Sequence, residues 1–341
     1  MSHANPKQLR ILCDRYDKIQ RMNKKMHIAF IVQKFPQTSE VFIIDQIADL
    51  LDRGVDVTVF RFEKGDPTHV SDRYLTYAME NRTHTIGMPH SRIKRFLGAV
   101  SRAIMLGFDS PISLLRALDI RQSGRRALSL KLLYACAPFA GKSFDLVHCH
   151  FGKLANQYLS IRHIMNHKMP MLTSFYGYDI SAVPKTKGAH YYDALKRICH
   201  AYIVMSNDMK SRVVALGFPE KEITVLPVSI DVEALPFARR SIVEGDTVEI
   251  LSVGRFVEKK GFDDLLRALA IVKEKATRPF RATIIGGGDL EPQLKQMTHD
   301  LDIEDVVVFP GFMKVQDVIK TFLTSHLYVQ PSKTASNGDM E

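Results

Sequence analysis

The chain has no paired cysteines, no glycine-rich nucleotide fingerprint and no apolar run long enough to cross a bilayer. Each absence removes a class of function. Its four cysteines (Cys13, Cys136, Cys149, Cys199) are scattered, and none begins a CxxC or CxxH pair. A zinc site is therefore not expected, and free thiols in a reducing cytosol are. No apolar stretch reaches the ~18 residues of a membrane span. Residues 1–25 are mixed in charge and lack a long apolar segment, so they are expected to form a loose extension and not a secretory signal. GxGxxG, which a nicotinamide dehydrogenase would carry, is missing, and so is the GxxxxGK[ST] phosphate loop. Zinc-finger, RRM, KH and basic-zipper signatures are missing too, which argues against nucleic acid as a partner.

What is present is an ordinary globular balance over 341 residues, 45% apolar and 25% charged. The length favours two domains, with cores large enough to need no disulfide or metal staple. The net charge of +10 is unevenly spread. Between Arg82 and Lys131 stand ten Lys/Arg and two acids, Asp109 and Asp119. Apolar residues interleave with them in IKRFLGAVSRAIMLGF, the pattern of an amphipathic helix on an anionic membrane surface. A solvated helix face would carry the same charge.

Strand and helix patterns alternate along the first half. HIAFIVQKF (27–35), VDVTVFRF (55–62), DLVHCHF (145–151), MLTSFYG (171–177), AYIVMS (201–206) and ITVLPV (223–228) read as strands. Helices are expected over 39–54, stopped by Gly54, over about 91–138, and near 153–166, 190–199 and 207–216. This is β-α-β order, so a parallel, doubly wound α/β sheet is expected. The alternation breaks at 226–246, which carries two prolines and no clear period. It restarts with strands at 248–254, 281–287, 306–312 and 327–330, and helices at 261–276, 289–303 and 315–323. The expected domains are 26–230 and 247–341, joined by a linker at 231–246. Four strands are fewer than the usual six, a first sign that the second domain is incomplete.

GRFVEKKGF (254–262) sits where the second domain's first strand meets its first helix. Such a turn presents free N–H groups and the positive helix end to a phosphate. Gly254 allows close approach, Arg255 offers a two-pronged contact and Lys260 a point charge. GGG at 286–288 is either a tight turn or a second close approach to a ligand.

GRFVEKKG resembles the GR-x-x-x-x-KG segment of retaining glycosyltransferases of the GT-B fold, family 4 type. FPQTSEVFIIDQI (35–47), HCHFG (148–152), TSFYGYDIS (173–181) and LPVSID (226–231) resemble, in order, segments of the colanic-acid and exopolysaccharide branch. The resemblance covers about residues 26–341. It implies two tandem Rossmann-like domains facing a cleft. It also implies metal-independent transfer of a hexose, with retention, from a UDP- or GDP-linked sugar to a lipid-linked or polysaccharide acceptor. No cofactor is implied, and the place of work is cytoplasmic, peripheral at the inner face of the membrane. Arg255 and Lys260 would stabilise the leaving diphosphate. His150 matches the histidine that approaches the donor sugar, while its neighbour His148 also reads as a packed histidine. Glu341 matches the first of two glutamates and would contact the sugar hydroxyls. The second glutamate would lie beyond it, so a C-terminally truncated chain is expected. A catalytically silent remnant acting as an interaction module is the alternative. Tyr176 departs from the family by replacing a histidine; a phenol donates a hydrogen bond but is a poor base. Asp179 orients its loop or reaches the acceptor. Ser39 and Glu40 either contact the acceptor or cap the following helix.

Overall fold

The computed structural model describes residues 25–68, 70–228, 237 and 241–339. Residues 1–24 of the expected extension, most of the expected linker and Glu341 lie outside the described residues. The chain divides into two compact units. One comprises the described residues up to Asp66 with Asp72–Val228, the other Pro67–Ser71 with the described residues after Val228.

The first unit is a seven-stranded parallel sheet. In chain order its strands are β1 (His27–Phe35), β2 (Asp56–Lys64), β3 (Thr83–Thr85), β4 (Leu146–His150), β5 (Met171–Ser174), β6 (Ala201–Val204) and β7 (Ile223–Val225). Their spatial order is β3-β2-β1-β4-β5-β6-β7. Ala29, Phe30, Ile31 and Val32 in β1 are wholly buried, which is why its apolar run is continuous and not alternating. The Val41–Asp52 helix lays Ile43, Ile44, Ile47 and Ala48 on the core and is followed by Gly54 at φ 78°, the stop read from the sequence. The order reverses between β1 and β4, and in such sheets the crevice at the carboxyl ends there is the binding position.

The second unit has β8 (Val248–Val253), β9 (Phe280–Ile285), β10 (Val307–Gly311) and β11 (Leu327–Tyr328), parallel in the order β10-β9-β8-β11. Its core is built on Phe256, Phe262, Leu266, Leu269, Ile284, Leu294 and Ile303. The parallel α/β class is as expected.

Three local readings need correction. The helix expected across 91–138 is divided, with its main parts at Arg92–Asp109, Pro111–Leu118 and Lys131–Cys136. Pro111 cannot continue the first helix but suits the first turn of the next, where Ser110 Oγ accepts from Ser113 N at 3.2 Å. A helix at Tyr178–Lys187 was not expected, because Pro184 and its weak periodicity hide it. The edge strand β3 was missed because three residues carry no readable alternation.

One ion pair ties the first unit's edge together. Arg61, 4% exposed on β2, donates from Nη1 and Nη2 to the two oxygens of Glu80 at 2.8 and 2.7 Å, and from Nη1 to Phe35 O at 2.9 Å. Tyr74 donates to the same carboxylate at 2.6 Å. Hydrogen bonds from Arg61, helped by Tyr74, hold the Glu80 pKa down at about 2 against an ordinary 4.5. A depressed folded-state pKa stabilises fully above the unfolded value, and that stability is lost as pH falls through the folded one. Urea midpoints are therefore expected to fall between pH 4.5 and 2, with Glu80→Gln shallower over that window and less stable than the parent at pH 7. Parallel curves for parent and variant would contradict this account.

Candidate functional site

The carboxyl end of β4 gathers the first unit's polar groups. Strand alternation puts His148 and His150 on one face, 3% and 0% exposed, with ring centroids 4.2 Å apart. Phe30 of β1 lies 5.0 and 4.9 Å from the two rings. His148 Nε2 pairs with Ser174 Oγ at 2.8 Å, and His150 Nδ1 with the Tyr176 hydroxyl at 2.8 Å.

Burial pushes the His148 pKa down to about 3 and that of His150 well below its usual value, the latter helped by His148. Both rings are therefore neutral near pH 7 and carry one proton each. A phenol is the stronger donor and a bare imidazole nitrogen the stronger acceptor, so the Tyr176 proton is directed at His150 Nδ1, and the His150 proton sits on Nε2. His150 Nε2 is buried with no hydrogen-bond partner among the described residues. Leaving such a donor unmatched costs about 1–3 kcal/mol, a cost removed when an acceptor arrives. Tyr176 stays protonated because burial, with Asp179 and Glu40 nearby, raises its pKa.

Asp179 is buried in the first turn of the Tyr178–Lys187 helix. One carboxylate oxygen accepts from Gly152 N at 2.8 Å, the other from Tyr176 N and Gly177 N at 3.1 Å each. It thus ties the N-terminus of the Gly152–Ile164 helix to the loop that carries Tyr176, the end of the helix dipole that favours a negative group. Burial raises its pKa to about 6 against these N–H donors. Gly152 has to be glycine, since a Cβ there would lie 2.3 Å from Phe175 Cε1.

Ser39 and Glu40 fall in a 3-10 turn, Thr38–Glu40, ahead of the Val41–Asp52 helix. Neither serves as the helix cap weighed from the sequence: Glu40 occupies the cap position without a side-chain cap bond. Ser39 is exposed and accepts from Gln37 Nε2 at 2.8 Å. Glu40 is half-buried and close enough to raise the Tyr176 pKa, and Phe42 packs on Tyr176 at 4.8 Å. Tyr176, His150 and Asp179 thus converge with Glu40 nearby, while Ser39 is exposed and paired with Gln37. Ser174 was not singled out in the sequence. Only the pairing of β4 with β5, which sets His150 opposite Ser174, reveals it.

In the second unit, residues 254–261 form the turn between β8 and the Phe262–Lys275 helix. Gly254 N donates to Ile285 O and Phe256 N to Gly287 O, both at 2.9 Å, so this turn is zipped to the GGG loop. Gly286 is at φ 142°, and a Cβ there would lie 1.9 Å from Gly254 O. The GGG run is therefore explained by two backbones meeting. The Lys260 stem lies over Gly254, 3.5 Å from where a Cβ would stand. Arg255 is exposed, and its guanidinium has no partner among the described residues. Asp263 and Asp264, in the first turn of the helix, would repel an anion there. Lys333 offsets them at 2.7 and 2.9 Å, and Arg267 adds contacts at 3.1 and 2.9 Å. Among the described residues no cluster of three or more His, Cys, Asp or Glu could hold a metal.

The family model described as Glycosyltransferase Family 4 matches residues 39–234, and that described as Glycosyl transferases group 1 matches 237–338. The amylovoran biosynthesis glycosyltransferase AmsK of Erwinia amylovora is 31% identical over 325 residues, covering 93% of this chain and 78% of that protein. The putative colanic acid biosynthesis glycosyltransferase WcaL of Escherichia coli K12 is 28% identical, with the same coverage. Among solved structures, Anabaena HepE in complex with UDP-glucose superposes with a TM-score of 0.59 at 15% identity, covering 91% of this chain and 74% of that one. The lipopolysaccharide glycosyltransferase WaaG superposes with 0.54 at 12%, covering 90% and 75%. These two likenesses bear on the fold.

The direction of the His150–Tyr176 hydrogen bond is open to test. In long-range ¹H–¹⁵N spectra His150 is expected to show a protonated Nε2 and a bare Nδ1. Tyr176→Phe removes the donor to Nδ1 and is expected to mix the two tautomers. A bare Nε2 in the parent protein would reverse this bond.

Proposed function

The chain belongs to Glycosyltransferase Family 4, and on that footing we propose that it is a retaining hexosyltransferase. It moves a hexose from a UDP- or GDP-linked sugar to a lipid-linked or polysaccharide acceptor in exopolysaccharide or cell-surface glycan synthesis. The observation that carries this reading is the exposed, unpaired Arg255 beside Lys260 in the turn after β8. Breaking the bond between sugar and diphosphate leaves negative charge on the diphosphate. A guanidinium fork and an ammonium placed there stabilise that charge, so no metal or other cofactor is called for. Gly254 lets the phosphates approach the backbone. Retention requires the acceptor to attack from the face the leaving group departs. His150 offers its Nε2–H to a sugar oxygen, and Tyr176 and Asp179 hold that ring and its loop in place. Glu40 lies beside this cluster. Glu341, outside the described residues, takes the sugar hydroxyls by its match to the family motif. The names of AmsK and WcaL support the exopolysaccharide setting.

The enzyme works at the cytoplasmic face of the membrane as a peripheral protein. Among the described residues no helix is long and apolar enough to cross a bilayer. The Arg92–Asp109 helix instead turns an apolar row outward: Ile93, Phe96, Leu97, Val100, Ile104 and Phe108 are 53–89% exposed. Arg92, Lys94, Arg95 and Arg102 on the same helix suit an anionic surface.

Arg255→Gln and Lys260→Gln are each expected to lower kcat on the order of 10²–10³-fold, about 3 kcal/mol of barrier, and to weaken UDP or GDP binding in calorimetry. Unchanged turnover in both would remove the reading. Separately, Phe96→Ser with Phe108→Ser is expected to abolish co-sedimentation with phosphatidylglycerol vesicles while nucleotide binding persists.

A further inference from the structure

Beside the exposed helix is a cleft of about 540 Å³ whose lining includes Arg116, Arg126 and His163 over Leu132, Leu159 and Ile164. The arginines make no ion pair or side-chain hydrogen bond among the described residues, and the acids of this stretch, Asp109 and Asp119, do not line the cleft. A half-open cavity with two unpaired guanidinium groups and an apolar floor is an unbalanced arrangement for a water-filled surface. Guanidinium forks match phosphate oxygens, while the floor matches hydrocarbon. His163 lies in the last turn of the Gly152–Ile164 helix, whose negative end would oppose an anion. That opposition is reduced, because Ile161 O accepts from Met165 N, Arg162 O from His167 N, and Ile164 O from Ser113 Oγ.

We propose that this cleft binds the phosphate headgroup of an anionic phospholipid, with the start of its acyl chains on Leu132, Leu159 and Ile164. This deepens the membrane reading above and rests on it. A lipid is favoured over a soluble phosphate because exposed apolar side chains flank both arginines. Ile112, 62% exposed, lies one turn before Arg116 on the Pro111–Leu118 helix, Leu115 is 71% exposed, and Leu128, two residues after Arg126, is 64% exposed. The site is separate from the β4 cluster. Gly152 and His163 stand at opposite ends of one helix, roughly 17 Å apart at 1.5 Å per residue.

The test is calorimetric titration of the full chain with dihexanoyl phosphatidylglycerol below its micelle concentration, alongside dihexanoyl phosphatidylcholine and inorganic phosphate. Saturable binding of the anionic lipid is expected. It should weaken at least about tenfold in Arg116→Gln/Arg126→Gln, the scale of one lost charge-assisted bond. Leu159→Trp, which fills the cleft and keeps both charges, should weaken it likewise. Lys185→Gln/Lys187→Gln, exposed on the Tyr178–Lys187 helix and outside the cleft, should leave it unchanged. The far-UV circular dichroism spectrum and the urea midpoint serve as the folding control in every variant. Equal binding of phosphatidylcholine, equal binding of phosphate alone, or no effect of either cleft variant would overturn the proposal. Because the lipid is monomeric, this result is independent of both vesicle sedimentation and sugar transfer.

Discussion

A parallel strand covered on both faces can present polar chemistry only at its ends. That constraint organises the first unit. Most of β1 and β4 is buried, so His148 and His150 have no water to turn to and must find partners across the sheet or go without. They find Ser174 and Tyr176 from the neighbouring strand and its loop. Burial keeps both rings uncharged, and it is the uncharged state that makes the direction of the hydrogen bonds matter. His150 Nε2, buried without a partner among the described residues, stands at the carboxyl end of β4, beside the point where the strand order reverses.

The same economy explains Asp179. A buried carboxylate is costly unless hydrogen bonds meet it, and three backbone N–H groups do so. These donors belong to two successive loops, so the residue that satisfies its own charge also sets the distance between the end of β4 and the loop after β5. The second unit solves a different problem with glycine. Gly261, at φ 67°, lies against Pro331 O, and Gly286 against Gly254 O, and in both places a side chain would hold two backbones apart. Close backbone contact shapes the turn after β8 and leaves Arg255 exposed.

The outward apolar row of the Arg92–Asp109 helix is the exception to core-seeking burial. Its side chains would be misplaced in a protein surrounded only by water, since contiguous exposed patches of this size mark contact surfaces. The break at Ser110–Pro111 turns the chain so that a second helix adds Ile112 and Leu115 to the exposed set. The unpaired arginines nearby give that layer a sign.

Periodicity and the turn residues were enough to read the parallel α/β class, most of the strands and the strand-to-helix turn at residues 254–262, because buried strands, Gly54 and GRFVEKKG are local signals. Alternation alone put His148 and His150 on one face. Hydrogen bonding across strands is not local. The partnership of His150 with Tyr176, the part played by Ser174, the three-donor seat of Asp179 and the separation of Ser39 from Glu40 depend on strand register and loop path. The 91–138 stretch showed its amphipathic composition in sequence, but which side of the helix faces out was decided by packing. A helical period marks an apolar face without saying what covers it.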